Sequence, residues 1–308
     1  MNKFKKGLRM ANNEYTNLTS IVSGTPIFLF GDFRMYTFTM LIGILASIFS
    51  IIYFWKKNKF PIDVLLVLII ITIPSALIGA RLFWIIEMAI NKDATALSRW
   101  WAIWEGGLSI QGGVILPLIF DLLYLRKKRD VVDIRKAFGI ILPNVLLGQA
   151  IGRWGNFANH ELYGAICSYD SIKWLGTGIS WNMYIDGYFR VPLFLIESIT
   201  SFLGYFVIVW VILQFNYLKP GSTGALYLIW YGVVRVILEP LRDQNDFEFW
   251  YLSLAIVSIV IGALLLAYFE ITGRKIYEKI SYKKHSFFYF NTKVQIVQAN
   301  TSLRWINE

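Results

Sequence analysis

Long apolar segments, each bounded by charged residues, dominate the hydrophobic pattern of the chain. A segment of about 20 mostly apolar residues is long enough to cross a membrane as a helix. The pattern predicts seven such helices, at residues 36–55, 63–90, 106–125, 132–155, 192–215, 224–241 and 250–269. The apolar segment 21–30 is too short to cross, so residues 1–30 are predicted to be an N-terminal extension with an interfacial piece.

The composition supports a membrane protein. Of the 308 residues, 56% are apolar and 16% are charged, and the mean hydropathy is +0.52. Soluble globular proteins contain about 45–50% apolar and about 25% charged residues. The expected fold class is therefore an all-α polytopic membrane protein, and a soluble domain, a coiled coil or a disordered chain is disfavoured.

Basic residues predict the orientation of these helices. The net charge is +10, and Lys and Arg are concentrated at 56–59, at 126–136 and after 274. Such loops face the cytoplasm, where they meet an anionic leaflet, so the charge does not require a nucleic-acid partner. We therefore expect an external N-terminus, a basic cytoplasmic tail at 272–308, and a small external cap at 157–191 between helices four and five.

The chain contains few residues that bind metals or form disulfides. It has one cysteine, Cys167, and two histidines, His160 and His285. A single cysteine excludes an intrachain disulfide framework and a cysteine-based zinc site. We expect neither a metal nor a cofactor.

Several charged residues lie within or at the ends of the predicted helices, all toward the external side. A charge in a membrane is costly unless it is paired or faces water. Ion pairs alone, or side chains reaching the interface, would explain isolated cases. Their concentration on one side favours a polar cavity. They are Arg81, Glu87, Glu105, Arg153, Glu161, Glu197, Arg235, Glu239 and Arg242.

The sixth predicted helix has the most informative spacing. Arg235, Glu239 and Arg242 are four and three residues apart, so they share one helix face. Two arginines held by one carboxylate suit a phosphate, because guanidinium binds phosphate in a bidentate manner. An ion-pair ladder without a ligand is the alternative.

Two glycine-rich segments also contain polar residues. The segment 152–164 reads GRWGNFANHELYG and closes the fourth helix. Its glycines permit tight turns and close backbone approach, and its amides supply directional hydrogen bonds. The segment 104–113 reads WEGGLSIQGG, which fits either a substrate groove or glycine-mediated helix packing.

The segment 152–164 resembles the signature G-R-x-G-N-F-x-N-x-E-x-x-G of the prolipoprotein diacylglyceryl transferase family at every fixed position. Shorter resemblances follow the same order along the chain, at 34–36, 79–81, 105–113, 192–197 and 231–242. Together they cover roughly residues 30–270. The resemblance implies a seven-span transferase domain at 31–271, located in the bacterial plasma (inner) membrane as a multi-pass protein.

The resemblance also implies a reaction. Members of the family move the diacylglyceryl group of phosphatidylglycerol to the lipobox cysteine thiol of a prolipoprotein, forming a thioether and releasing glycerol phosphate. This is the first step of lipoprotein maturation. The implied partners are phosphatidylglycerol, prolipoprotein signal peptides with a lipobox cysteine, and membrane lipid. The single Cys167 agrees with this chemistry because the substrate supplies the thiol.

Family positions carry over residue by residue. The catalytic set falls on Arg153, Arg235, Asn156 and Glu161. The residues expected to bind phosphatidylglycerol are Arg153, Arg235, Arg242, Glu239, Glu197, Tyr36, Gln111 and Gly164.

Two positions depart from the family pattern. The family often has a histidine, a candidate base, where this chain has Gln111, and an amide cannot take a proton at neutral pH. His160 could serve instead, or nearby arginines could lower the pKa of the thiol enough to remove the need for a base. After Arg81 the family tends to have tyrosines, whereas this chain has Trp84 and Met88.

Two other functions are compatible with an arginine-lined cavity. One is a transporter or channel for an anionic lipid or solute, which the absence of a recognisable internal repeat disfavours. The other is a catalytically inactive relative that binds lipoprotein precursors. The complete arginine, asparagine and glutamate set argues against it, whereas Gln111 modestly favours it.

Overall fold

A computed structural model describes residues 28–30, 33–90, 98, 100–101, 107, 109–242, 249–272, 276–282, 285–291, 295–299 and 302–306. Most of these residues are helical. Residues 1–27 and Glu105 lie outside the described residues. The predicted interfacial segment at 21–30 is therefore described only from Phe28, where a short strand begins.

The helices within these ranges follow the apolar segments closely. In chain order they are α1 Met35–Lys57, α2 Ile62–Ile90, α3 Ile110–Lys127, α4 Ile134–Asn159, α5 Tyr169–Ile172, α6 Thr177–Asn182, α7 Leu193–Tyr205, α8 Ser222–Leu238 and α9 Phe249–Thr272. Helix α7 continues as a π-helix over Phe206–Leu213, and α8 is followed by a 3₁₀ turn at Glu239–Leu241.

The structure also contains short strands, which the sequence analysis did not predict. Strands β1 (Phe28–Phe30) and β2 (Phe33–Arg34) pair before α1. Strands β3 (Ile166–Cys167), β4 (Tyr184–Ile185) and β5 (Tyr188–Arg190) form an antiparallel sheet in the order β3-β5-β4. The tail forms two hairpins from strands β6 (Ile276–Tyr282), β7 (His285–Asn291), β8 (Gln295–Ala299) and β9 (Ser302–Ile306).

Six helices in the described ranges are long and apolar enough to cross a membrane, and they match six of the seven predicted spans. The remaining prediction, 106–125, corresponds to α3, an 18-residue helix that carries Asp121, Arg126 and Lys127. Helix α3 begins later than predicted because Gly107 has a φ of 71° and Ser109 is extended. These apolar helices indicate a multi-pass membrane protein, with six candidate membrane-spanning helices in the described ranges.

The structure divides into two compact units. The first comprises the described residues up to Ser50, together with Ile141–Leu218 and Ser222–Thr272. In it, α1 approaches α4 at Gly43 and Gly148, where a Cβ added to Gly43 would lie 2.8 Å from the Gly148 carbonyl oxygen. The Ser50 hydroxyl lies 2.5 Å from Asn144 Oδ1 and 2.8 Å from the Tyr205 hydroxyl, which links α1, α4 and α7. Small residues and interhelical hydrogen bonds are typical of membrane helix contacts.

The second unit comprises Ile51–Ile140, Lys219–Gly221 and the tail. Helices α2 and α3 pack through Gly79 and Gly112, where a side chain on either residue would overlap the backbone of the other. Gly112 of the second glycine-rich segment therefore serves helix packing, in line with one of the two interpretations of that segment. Large apolar side chains on the outer face, such as Ile70, are exposed, as suits a lipid-facing surface.

The segment between α4 and α7 forms a small folded element of the first unit. Its core consists of Ile172, Met183, Ile185 and Phe194, all nearly fully buried. Strand β5 holds this element together, since it pairs with both β3 and β4. The predicted external segment at 157–191 thus contains a sheet and most of a small core, which Phe194 of α7 completes.

Candidate active site

Arg153 and Glu197 form a close ion pair in the first unit. Arg153 lies on α4, and its Nε is 2.5 Å from Glu197 Oε2 on α7. The Nη1 of Arg153 also donates to Asn156 Oδ1 at 3.2 Å. The two charged side chains are 18% and 7% exposed. Buried charges require such pairing, because the cost of removing them from water is otherwise large.

Glu197 also contacts two further arginines. Its Oε1 lies 3.3 Å from Arg235 Nη1 and 3.3 Å from Arg242 Nη2. Glu239 Oε2 lies 3.2 Å from Arg235 Nη1 and 3.4 Å from Arg242 Nε, so the spacing of these three residues does place one carboxylate between two guanidinium groups. With Arg153, three arginines surround the two glutamates that contact them directly, and this local excess of guanidinium groups favours an anionic ligand.

The turn after α4 links Glu161 to this arginine cluster. Helix α4 ends at Asn159, and His160 and Leu162 then adopt positive φ angles of 53° and 56°. This reversal brings Glu161 Oε1 to 2.7 Å from Asn156 Nδ2, which donates to it. A hydrogen-bond chain therefore runs from Glu161 through Asn156 to Arg153.

Gly164 lies where the backbone is closely packed. Its N–H donates to the Val191 carbonyl oxygen at 2.9 Å, and it forms an isolated antiparallel bridge with Arg242. An added Cβ would lie 2.8 Å from the Val191 Cβ and 3.1 Å from the Leu241 carbonyl oxygen. Its geometry therefore fits positioning of Arg242 through the backbone better than direct contact with a lipid.

Tyr36 lies in the first turn of α1, against the signature segment on α4. A Cβ added to Gly155 would lie 2.9 Å from Tyr36 Cδ2 and 2.7 Å from Thr39 Oγ1. The glycine thus lets α1 pack directly on α4. The Tyr36 hydroxyl interacts electrostatically with Glu161 and Arg153.

A cleft with about 330 Å³ of empty space opens beside the arginine cluster. Its walls come from α4, α7 and α8 of the first unit. It is lined by Leu146, Gln149, Arg153, Glu197, Ser201, Trp230, Tyr231, Val234 and Arg235. Charged, neutral polar and apolar groups thus line one small space, as expected for a site that binds an amphipathic molecule.

A second, smaller pocket of about 200 Å³ lies under the signature turn. Asn156 and Glu161 line it together with His160 and mostly apolar side chains of the folded element. The Nε2 of His160 is 2.8 Å from Asn182 Oδ1. This hydrogen bond holds His160 against α6.

These motifs are shared with known proteins. The sequence model of the prolipoprotein diacylglyceryl transferase family matches residues 26–271. The chain belongs to this family. The family prediction made from the signature segment is thereby confirmed, and with it the classification as a transferase.

Three relatives, each named phosphatidylglycerol–prolipoprotein diacylglyceryl transferase, match most of the chain. The protein of Mycoplasmopsis pulmonis is 44% identical over 303 residues, covering 94% of each chain. The protein of Streptococcus uberis is 34% identical over 78% of this chain and 91% of its own. That of Streptococcus pneumoniae serotype 4 is 32% identical over 76% of this chain and 89% of its own.

Gln111 of this family member lies in the second unit. Its Oε1 accepts a hydrogen bond of 2.5 Å from the Ser109 hydroxyl, which also lies 3.1 Å from Glu87 Oε1. Arg81 of the same unit donates to the backbone oxygens of Trp100 and Gly107 and stacks on Trp84, 4.1 Å from the ring centre. This arginine is therefore fixed by backbone groups and an aromatic ring.

Cys167 lies in strand β3 of the folded element and is not disulfide-bonded. Burial raises the pKa of its thiol above the usual value. A raised pKa lowers the thiolate fraction at neutral pH, so this cysteine is a poor nucleophile. This agrees with a family reaction in which the substrate provides the thiol.

Sequence reasoning missed some residues of the cleft. Gln149, Ser201 and Trp230 line the cleft. The sequence did not single them out, because a neutral residue does not interrupt an apolar helix as a charged residue does. A usable signal was present, because Gln149 lies four residues before Arg153 and Ser201 lies four residues after Glu197. Such spacing puts each neutral residue on the helix face of its charged neighbour.

Proposed function

We propose that this protein transfers the diacylglyceryl group of phosphatidylglycerol to the lipobox cysteine of prolipoproteins. Family membership and the names of full-length relatives support this reaction. The observation that carries it at the level of the site is the convergence of Arg153, Arg235 and Arg242 on Glu197 beside the cleft. Such a cluster is suited to a phosphate group that carries a leaving charge.

The membrane arrangement is part of the same proposal. Helix α3 is the seventh span, added to the six long apolar helices. The N-terminus is external and the basic tail is cytoplasmic, in a bacterial inner membrane. The site and the folded element at 157–191 then face outward, on the side where exported prolipoproteins emerge.

Arg153 and Arg235 hold the phosphate of the lipid donor in this mechanism. Each guanidinium carries five N–H donors, and the described contacts of Arg153 use its Nε and Nη1. Glu197 keeps the arginines together before the lipid arrives. Arg242 and Glu239 brace this arrangement, and Tyr36 and Gly164 support it from α1 and from the turn.

The chemical step exchanges one bond at carbon for another. The substrate thiolate attacks the diacylglyceryl carbon that is bonded to the phosphate oxygen. A C–S bond forms, the C–O bond breaks, and the electron pair leaves with glycerol phosphate, whose charge the arginines neutralise. The same positive charge favours the thiolate, whose proton passes to water, so a base at Gln111 is not needed.

A direct test uses the purified full-length protein in detergent with phosphatidylglycerol and a lipobox peptide. Mass spectrometry should show a gain of one diacylglyceryl unit on the peptide. A peptide with serine in place of cysteine should show no gain. If the cysteine peptide gains no mass while a known transferase is active alongside, the proposal is wrong. Lipid or phosphate flux without product would then favour transport.

A further inference from the structure

Three helices of the first unit present the same two-layer arrangement along the cleft. Each carries a charged residue and, four residues nearer the middle of the helix, a neutral residue that can form hydrogen bonds. The pairs are Arg153 with Gln149, Glu197 with Ser201, and Arg235 with Tyr231, and all six residues line the cleft. Four residues span about one turn, or about 5.4 Å. A layer of neutral polar side chains therefore lies about one helical turn nearer the middle of the helices than the layer of charged side chains.

The neutral layer has hydrogen-bonding capacity to spare. Gln149 Nε2 lies 3.3 Å from the Tyr227 hydroxyl and uses one of its two N–H groups for that contact. Ser201 is 9% exposed and lines the cleft, so its hydroxyl can meet a group that enters the cleft. A ligand that fills the cleft would remove water from this hydroxyl, and the loss is smallest where the ligand offers an acceptor in return.

The remaining walls of the cleft are apolar. Leu146, Trp230 and Val234 line it beside the neutral layer. The indole N–H of Trp230 already donates to the Thr200 carbonyl oxygen at 3.1 Å, so its ring is left to serve as an apolar wall. The cleft thus combines charged, neutral hydrogen-bonding and apolar surfaces.

A glycerophospholipid has the same groups in the same order. Its phosphate is anionic, its two acyl ester carbonyls only accept hydrogen bonds, and its chains are hydrocarbon. We infer that Gln149 and Ser201 donate hydrogen bonds to the acyl ester carbonyls of the lipid donor while Arg153 and Arg235 hold its phosphate. This inference rests on the proposed function, and it makes the enzyme selective for ester-linked over ether-linked lipid.

Ether-linked phosphatidylglycerol of equal chain length tests the inference. It keeps the phosphate and the reacting carbon but lacks both carbonyl oxygens. The wild-type protein should transfer the ester-linked group at least about tenfold faster, because one hydrogen bond of ordinary strength corresponds to about that factor. Gln149→Leu and Ser201→Ala should each lower the ester rate and leave the ether rate nearly unchanged. The ratio of the two rates does not depend on how much protein is folded.

Matched controls make the same side-chain changes outside the cleft. Gln214→Leu and Ser258→Ala should keep the wild-type ratio of ester to ether rates. Equal wild-type rates for the two lipids would overturn the inference while leaving the proposed function intact. An unchanged ratio in both Gln149→Leu and Ser201→Ala would overturn it as well. If neither lipid supports transfer, the proposed function is wrong, and the inference fails with it.

Discussion

The Arg153 Nε atom lies 2.5 Å from the Glu197 Oε2 atom, which joins the signature segment on α4 to the start of α7. Through the other oxygen of the same carboxylate, Arg235 and Arg242 are held at 3.3 Å. One carboxylate therefore organises three guanidinium groups that come from two distant parts of the sequence. Their convergence, and not any one arginine, produces the positive site.

Arg153 should be essential for transfer. Replacement by Ala should lower the rate of diacylglyceryl transfer by about 10²–10³-fold, as for removal of a group that stabilises charge in a transition state. Arg153→Lys keeps the charge but loses the planar donor fork, so it should also lose most activity. Product formation is measured by mass spectrometry, with size-exclusion profiles to verify folding. Full activity of Arg153→Ala would contradict the assigned role.

Glu197 should contribute mainly to stability. Glu197→Gln removes the negative charge between three arginines, and breaking a buried ion pair costs about 3–5 kcal/mol. Thermal unfolding in detergent should occur at a clearly lower temperature, and added inorganic phosphate should restore part of the loss. The control Asp170→Asn breaks an exposed pair with Lys173 and should not change the unfolding temperature. Equal stability of Glu197→Gln and wild type would contradict the role of Glu197.

Glycines at helix contacts should tolerate no side chain. In Gly148→Val the new Cβ would lie 2.7 Å from Ser47 Oγ and 3.1 Å from the Gly43 carbonyl oxygen, so α1 and α4 must separate. We expect a loss of about 1–3 kcal/mol of stability, typical of overpacking. Gly178→Ala is the control, because nothing lies within 4 Å of its Cβ position. If unfolding measurements show that Gly148→Val is as stable as Gly178→Ala and the wild type, this packing is wrong.

Gln111 should not be required as a base. Gln111→Ala removes one of two acceptors near the Ser109 hydroxyl but no titrating group, so it should keep substantial activity. His160→Asn should keep substantial activity too, because the arginines are proposed to stabilise the thiolate. Initial rates with the lipobox peptide measure both. A loss in Gln111→Ala as complete as in Arg153→Ala would show that Gln111 orients a reacting group.

The sequence predicted the helices and the face shared by Arg235, Glu239 and Arg242, because these features depend on local spacing. It also predicted the family, because one long signature carries that information. It could not predict that Glu197 joins these residues to Arg153, since the contact connects three separate helices. The strands of residues 166–190 were missed because each has only two or three residues.

Cys167 should be dispensable and slow to react. Burial raises the pKa of its thiol, so the thiolate fraction at neutral pH is lower than for an exposed cysteine. Alkylation by iodoacetamide should therefore be slow at pH 7 and accelerate as the pH rises through the raised pKa, as mass spectrometry of the intact protein can follow. Cys167→Ser should transfer diacylglyceryl at the wild-type rate, because the substrate supplies the reacting thiol. Loss of transfer in Cys167→Ser, with the protein folded, would instead mean that the enzyme's own cysteine takes part in the reaction.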